Sequence, residues 1–387
     1  MRLLFTCAGG SGHFLPLVPI ARAAAAAGHA VAFAARPWMV PKVEALGFRC
    51  FAAGTDVGLA PQRRPLAKVD LEREMGAVGV GFGRRIARER AADVLALCAE
   101  WRPDLLVCEE LDFGAMVAGE RLGLPHATVL VIAAGRFVRP ELVAEPLNEV
   151  RAEHGLPPDP ALEAPGRHLV LSPFPPSFRD PSAALPATTH SFRPLTRDPA
   201  EEDAPPAWLA GLEGAPIVYF TLGTVFNLES GDLFQRVIAG LRELPVHLVV
   251  TVGRDLDPAE LGPQPANVRI ERYVPQASLL PRCALVVSHG GSGSVMGALA
   301  HGLPMVLVPL GADQPLNAAR CTALGVAREL DAAELTPEAV RAAAATMLAD
   351  PAARRPAARL REEIAALPGP EHAVRLLEGL AARRRSA

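Results

Sequence analysis

The chain has 387 residues, half of them hydrophobic and 21% charged, enough apolar side chains for two ordinary cores and too many for a disordered chain. Its 39 basic and 42 acidic residues leave a formal net charge of −3, which excludes a strongly basic polyanion binder, since such affinity rests on clustered cations meeting phosphates. Six cysteines (Cys7, Cys50, Cys98, Cys108, Cys283, Cys321) stand far apart, with no C-x-x-C pair and no histidine at metal-ligand spacing, so they read as reduced thiols of a cytoplasmic protein.

Residues 2–7 predict a buried first strand. They meet glycines at once and lack the small-residue cleavage site of a signal peptide. No apolar run reaches the ~18 residues of a membrane span. A glycine-rich turn follows, then a helix over 14–27 closed by Gly28, with Pro16 and Pro19 near its first turn, where a missing amide costs least. A strand at 30–35 completes the unit. Further strands are predicted at 48–52, 104–108 and 126–131, with a helix at 112–122. Residues 75–83, Met-Gly-Ala-Val-Gly-Val-Gly-Phe-Gly, read as a mobile apolar stretch. Residues 136–212 are rich in proline and weak in periodicity, and their densest part, 194–208 with the acidic run Glu201-Glu202-Asp203, reads as a linker. A second series then begins, with strands at 217–222, 246–252, 268–271, 284–288 and 305–309 and helices at 231–242, 292–301 and 313–324. Three Ala/Arg-rich helical patterns follow, ending in a charged tail at 383–387. This alternation predicts an α/β protein of two Rossmann-like halves.

Two strand–glycine–helix turns carry the candidate chemistry. The first, Gly9-Gly10-Ser11-Gly12-His13, lacks the third glycine of G-x-G-x-x-G, because position 15 is Leu. Arg36 stands where a dinucleotide site needs an acidic residue. A nicotinamide or flavin enzyme is therefore disfavoured. His13 is instead placed at the carboxyl edge of the sheet, where α/β folds bind ligands, together with Glu109, Glu110 and Asp112. A carboxylate beside an imidazole fixes its tautomer and makes it a general base. The second turn, His289-Gly290-Gly291-Ser292-Gly293-Ser294, offers helix-start amides to a pyrophosphate.

Around that turn stand Tyr273-Val274-Pro275-Gln276, Leu280-Pro281, Gly302-Leu303-Pro304, Asp313-Gln314 and Asn317-Ala318. In this order and spacing they closely resemble the nucleotide-sugar signature of family-1 glycosyltransferases. The N-terminal turn, Gly123-Leu124-Pro125 and Leu222-Gly223-Thr224 extend the resemblance to both halves, nearest to bacterial members that glycosylate natural products. The resemblance implies the GT-B fold, two Rossmann-like domains facing each other across a cleft: residues 1–200 for the acceptor, a linker at 201–213, residues 214–368 for the donor, and a helix at 369–387 crossing back.

Carried over residue by residue, it implies that the Val274 backbone meets the donor's base while Tyr273 or a neighbour stacks on it, and that Gln276 lies near the nucleoside. His289, the amides at Gly291, Ser292, Gly293 and Ser294, and the Thr224 hydroxyl would bind the donor diphosphate, Asp313 and Gln314 the donor sugar, and Gly12 in the first turn would also contribute to donor binding. His13 would be the base. Glu109 and Asp112 both remain as its orienting acid, Glu109 being the better aligned. Gly297 stands where plant-type relatives carry the glutamate that holds a ribose, which suits the deoxyribose of a dTDP-sugar or simply close helix packing. Phe82, Phe137 and Phe174, with Phe178, are candidates to line a hydrophobic acceptor site.

The implied reaction is inverting transfer to a hydroxyl, N- and S-transfer remaining open. The nucleotide-sugar is a co-substrate, and no cofactor or metal is expected. Asp255-Leu256-Asp257 reads as turn aspartates rather than a metal-binding D-x-D. The expected partners are a sugar nucleotide and a hydrophobic aglycone, without nucleic acid or membrane, and with room for a homodimer. The alternatives are a MurG-like transferase, a related epimerase, or a non-catalytic helper of a partner transferase.

Overall fold

The structure, a computed structural model, describes residues 1–56, 63–194, 205–223 and 226–386. It separates into two compact units. One comprises Met1–Leu59, Glu72–Leu195 and Ala366–Ala387, the other Ala60–Leu71 and Thr196–Ala365. Among the described residues no helix is long and apolar enough to cross a membrane.

In the first unit, strands β1 (Arg2–Cys7), β2 (Ala30–Ala35), β3 (Arg49–Ala52), β4 (Leu105–Glu109), β5 (His126–Val129), β6 (Leu169–Ser172) and β7 (Thr189–Ser191) form a parallel sheet of order β3-β2-β1-β4-β5-β6-β7. Its central strands are covered on both faces, which is why Leu3–Phe5 of β1 and Leu105–Cys108 of β4 read as continuous apolar runs instead of alternating ones. The connecting helices are α1 (Ser11–Phe14), α2 (Val18–Ala26), α3 (Val40–Glu44), α4 (Leu71–Val78), α5 (Ala87–Trp101), α6 (Phe113–Arg121) and α7 (Pro140–Glu153).

The expected mobile stretch at 75–83 is helical. α4 and α5 are joined by a π-helical segment, Gly79–Ile86, so that 71–101 is one helical run. Its glycines serve packing. A Cβ on Gly79 would overlap the Leu142 carbonyl of α7, and one on Gly83 would lie 3.3 Å from Val143 Cγ1. Pro146, inside α7, has no amide to give the carbonyl four residues earlier, and that carbonyl is the one facing Gly79. The proline-rich region read as irregular therefore holds α7, β6 and β7. Pro140 sits at the start of α7, where proline is pre-organised for a helix.

In the second unit, β8 (Ile217–Thr221), β9 (His247–Thr251), β10 (Val268–Glu271), β11 (Cys283–Ser288), β12 (Met305–Leu307) and β13 (Ala327–Glu329) form a parallel sheet of order β10-β9-β8-β11-β12-β13. With them run α8 (Leu233–Leu241), α9 (Gln276–Leu279), α10 (Ser292–Ala300), α11 (Gln314–Ala323), α12 (Pro337–Ala349) and α13 (Pro351–Ala366). The core joins Val218, Phe220, Leu248, Val250 and Val287 of the sheet to Val237 and Leu241 of α8 and Val340 of α12. The last helix, α14 (Pro370–Ser386), belongs to the first unit. Its Ala373, Val374, Leu377 and Leu380 share a core cluster with Leu17, Ile20, Ala21 and Ala24, and Glu378 Oε1 lies 3.0 Å from His29 Nε2.

Both sheets reverse their strand order once in the middle, between β1 and β4 and between β8 and β11. Such switch points leave a crevice at the carboxyl ends of the strands, and each glycine turn lies at one of them.

Candidate active site

The first turn leaves β1 at Cys7 and enters α1 at Ser11, with the His13 and Phe14 amides donating to the Gly10 carbonyl at 3.0 and 3.1 Å. The imidazole of His13 folds back over Gly9, where a Cβ would overlap the ring. Its Nδ1 lies 3.1 Å from Glu109 Oε1. Glu109 is the last residue of β4, not the first beyond it, and is fully buried. The Ala8 amide donates to its Oε1 at 3.1 Å and the Leu111 amide to its Oε2 at 2.8 Å. Two backbone amides thus fix one carboxylate beside the imidazole, which still keeps part of its surface open to solvent.

Asp112 does something else. It caps α6, accepting from the Ala115 amide, and takes a two-pronged ion pair from Arg90, Nε to Oδ1 at 2.8 Å and Nη2 to Oδ2 at 2.6 Å. Both side chains are fully buried. Arg90 also donates to the Ala34 and Ala53 carbonyls, tying α5 to the ends of β2 and β3. Glu110 accepts from the Val131 and Ile132 amides; burial pushes its carboxyl above the usual range, opposed by Arg179.

Of the aromatic candidates, Phe82 stacks on His13 with ring centroids 5.7 Å apart and planes 12° from parallel. Phe137, Phe174 and Phe178 are buried. Two neighbours of the turn carried no signal in the sequence. Trp38 is 43% exposed, its ring edge 3.0 Å from where a Cβ on Gly10 would stand. Lys42 Nζ donates to Ser11 Oγ at 2.8 Å. Gly12 is exposed, with open space around the position of a side chain.

The second turn runs from β11 through His289 and Gly290, at φ +85°, into α10. His289 is buried, and burial pushes its imidazole down to about 4, partly offset by a backbone contact with Thr221. At neutral pH the ring is therefore uncharged. It is housed by two glycines: a Cβ on Gly223, at φ +73°, would lie 2.6 Å from Cε1, and one on Gly291 2.6 Å from Nε2. In α10 the first helical bond runs from the Val295 amide to the Gly291 carbonyl. The amides of Ser292, Gly293 and Ser294 form the first turn of α10 ahead of it, and a helix start draws anions.

Behind this turn, Ser292 Oγ donates to Asp313 Oδ2 at 2.7 Å, and Asn317 Nδ2 to the same oxygen at 2.8 Å and to the Gly290 carbonyl at 3.0 Å. Asn317 thus ties α11 to the glycine turn, a role its place in the motif did not disclose. Gln314 is buried, and its Oε1 accepts from the Leu310 amide at 2.8 Å. Tyr273 is 52% exposed while Val274 is buried. Gln276 Nε2 donates to Tyr219 Oη at 3.5 Å. A Cβ on Gly297 would lie 3.2 Å from Leu280 Cδ1 and 3.4 Å from Gln276 Oε1. Thr224 lies outside the described residues.

Asp257 caps the short helix Pro258–Leu261 through a capping box with Glu260. Among the described residues no three His, Cys, Asp or Glu side chains are grouped to hold a metal ion. The six cysteines are unpaired thiols, and burial pushes Cys50 and Cys98 up to about 11.

Residues 22–180 match the N-terminal domain of the family described as "Erythromycin biosynthesis protein CIII-like", and residues 235–380 match its C-terminal domain. The tylactone mycaminosyltransferase of Streptomyces fradiae is 31% identical over an alignment covering all of this chain and 94% of that relative. Among solved structures, the glycosyltransferase VinC in complex with dTDP superposes with a TM-score of 0.80 at 26% identity, covering 99% of this chain and all of the other. SsfS6 of Streptomyces sp. SF2575, complexed with thymidine diphosphate, gives 0.78 at 27%, covering 98% and 99%. With its two parallel-sheet units, the chain belongs to the erythromycin biosynthesis protein CIII-like family and is a GT-B glycosyltransferase.

Proposed function

We propose that the protein transfers a sugar, with inversion at the anomeric carbon, from a dTDP-sugar to a hydroxyl of a hydrophobic natural-product aglycone. The observation that carries this reading is the His13–Glu109 contact at one switch point, matched by the uncharged His289 and the α10 amides at the other. His13 Nε2 takes the acceptor's hydroxyl proton as that oxygen bonds to the anomeric carbon. The bond from that carbon to the diphosphate breaks, and the nucleotide leaves with the electron pair. Glu109 holds Nδ1 and stabilises the imidazolium that forms. The α10 amides and the His289 ring N–H offset the leaving group's growing charge without a basic side chain. Asp313, which accepts from Ser292 and Asn317, and Gln314, whose Oε1 is held by the Leu310 amide, meet hydroxyls of the donor sugar.

Two observations support a thymidine donor. The relatives' structures hold dTDP or thymidine diphosphate, and Gly297 beside Gln276 offers no carboxylate to a ribose 2′-hydroxyl. The acceptor reading rests on relatives such as the tylactone mycaminosyltransferase and on Phe82 stacked beside the base. No metal takes part in this scheme, so turnover should survive excess EDTA. The test compares dTDP-glucose with UDP-glucose over a panel of polyketide and aromatic aglycones, with the product anomer read by NMR. Faster turnover with dTDP and an inverted anomer are expected. A strong UDP preference or a retained anomer would overturn the proposal.

A further inference from the structure

Residues 63–70 are part of the second unit, although in the chain they lie between β3 and α4 of the first. Four contacts fasten this stretch to one loop and its surroundings. The Arg64 amide donates to the Leu228 carbonyl at 2.9 Å. Arg64 Nη1 lies 3.5 Å from Glu229 Oε1, and Arg63 Nη2 donates to Glu260 Oε1 at 2.6 Å. Leu66 packs on the second unit's core and against Gly231, where a Cβ would stand 3.1 Å from the Leu66 amide nitrogen. That close approach, at φ +54°, needs glycine. The same loop is held from within. Buried Asn227 donates from Nδ2 to the Val252 carbonyl at 3.0 Å, and Ser230 Oγ donates to the Asn227 carbonyl at 2.9 Å.

We infer that residues 63–66 are a positioning strap for donor binding. They fix the 226–231 loop, which follows the Gly223 turn that houses the His289 ring, and so hold the proposed diphosphate-binding turn in place. The inference rests on the donor reading above. Exposed ion pairs contribute little, so the Arg63 and Arg64 side chains add little to the strap, and the Arg64 amide and the Leu66 side chain fasten it.

Three variants of the full chain separate these contributions. Arg64→Pro removes the amide donor at that position. Arg64→Ala keeps the amide, and Leu66→Ala trims the packing without touching the backbone. Binding of dTDP is measured by calorimetry, donor and acceptor KM by steady-state transfer, and folding by thermal melting. Arg64→Pro and Leu66→Ala should each weaken dTDP binding and raise donor KM by about two- to tenfold, with kcat and acceptor KM unchanged, while Arg64→Ala matches the parent. If Arg64→Pro fails to fold, Leu66→Ala carries the test. Unchanged dTDP affinity in the folded variants, or a change in acceptor KM alone, would overturn the strap. If the parent chain itself binds no dTDP, the donor reading falls, and the strap with it.

Discussion

Replacing Asp112 by alanine should destabilise the protein without disabling its chemistry. The substitution removes the carboxylate from the fully buried Arg90 guanidinium and leaves it, among the described residues, the Ala34 and Ala53 carbonyls; breaking such a pair costs about 3–5 kcal/mol. For a unit of this size each kcal/mol lowers the melting temperature by roughly 2–4 °C, so a drop of ~6–20 °C is expected. Turnover per folded molecule should stay near the parent value, because Asp112 is engaged by Arg90 while Glu109 holds His13. Glu109→Gln should do the reverse. It removes the charge 3.1 Å from Nδ1 and sets an amide N–H against one of two backbone donors, lowering kcat by about 10²- to 10⁴-fold. Calorimetric melting, combined with transfer rates taken below each variant's transition, distinguishes the two. If Asp112→Ala kept its melting temperature and lost kcat as Glu109→Gln does, the division of labour drawn here would be wrong.

Three further outcomes follow from the same contacts. Burial pushes His126 and His289 down to about 4 in the folded chain, against ~6.5 when unfolded. The unfolded chain binds more protons between those values, so stability is complete above ~6.5 and falls as pH drops towards 4; urea midpoints across that range should decline, and a flat profile would contradict the assignment. Gly9→Ala drives a methyl into the His13 ring, so kcat should fall while the melting temperature changes little, and full activity would refute that crowding. Gly291→Ala places a Cβ 2.6 Å from His289 Nε2; weaker dTDP binding by calorimetry is the expected result, and unchanged affinity the opposing one.

The doubly wound sheets were legible because strands covered on both faces must be largely apolar, as Leu3 to Phe5 and Leu105 to Cys108 are. His13 and His289 were legible because glycines directly between strand and helix mark a turn at the sheet's carboxyl edge. Other features depended on contacts distant in the chain. Choosing between Glu109 and Asp112 required the register of β1 on β4, with Thr6 opposite Cys108, and Arg90, which lies 22 residues before Asp112 in a helix whose sequence does not mark it as a partner. The 71–101 helix and α7 were hidden by Gly79, Gly83 and Pro146. Each is unfavourable in an isolated helix, and together they are accommodated by the close approach of the two helices. β7 and β13, three residues each, are too short to show a pattern. Gln314 matched the sugar-binding motif by type, yet its burial and its bond to Leu310 follow from the path of the 310–314 turn.

The central claim is that His13, held by Glu109, is the base in sugar transfer. It is tested most directly with His13→Ala, by measuring transfer from a dTDP-sugar to a hydroxyl acceptor alongside calorimetric binding of dTDP. The account predicts that transfer falls by about 10²- to 10⁴-fold while dTDP binds as tightly as to the parent chain. Near-normal turnover in the folded variant would contradict it.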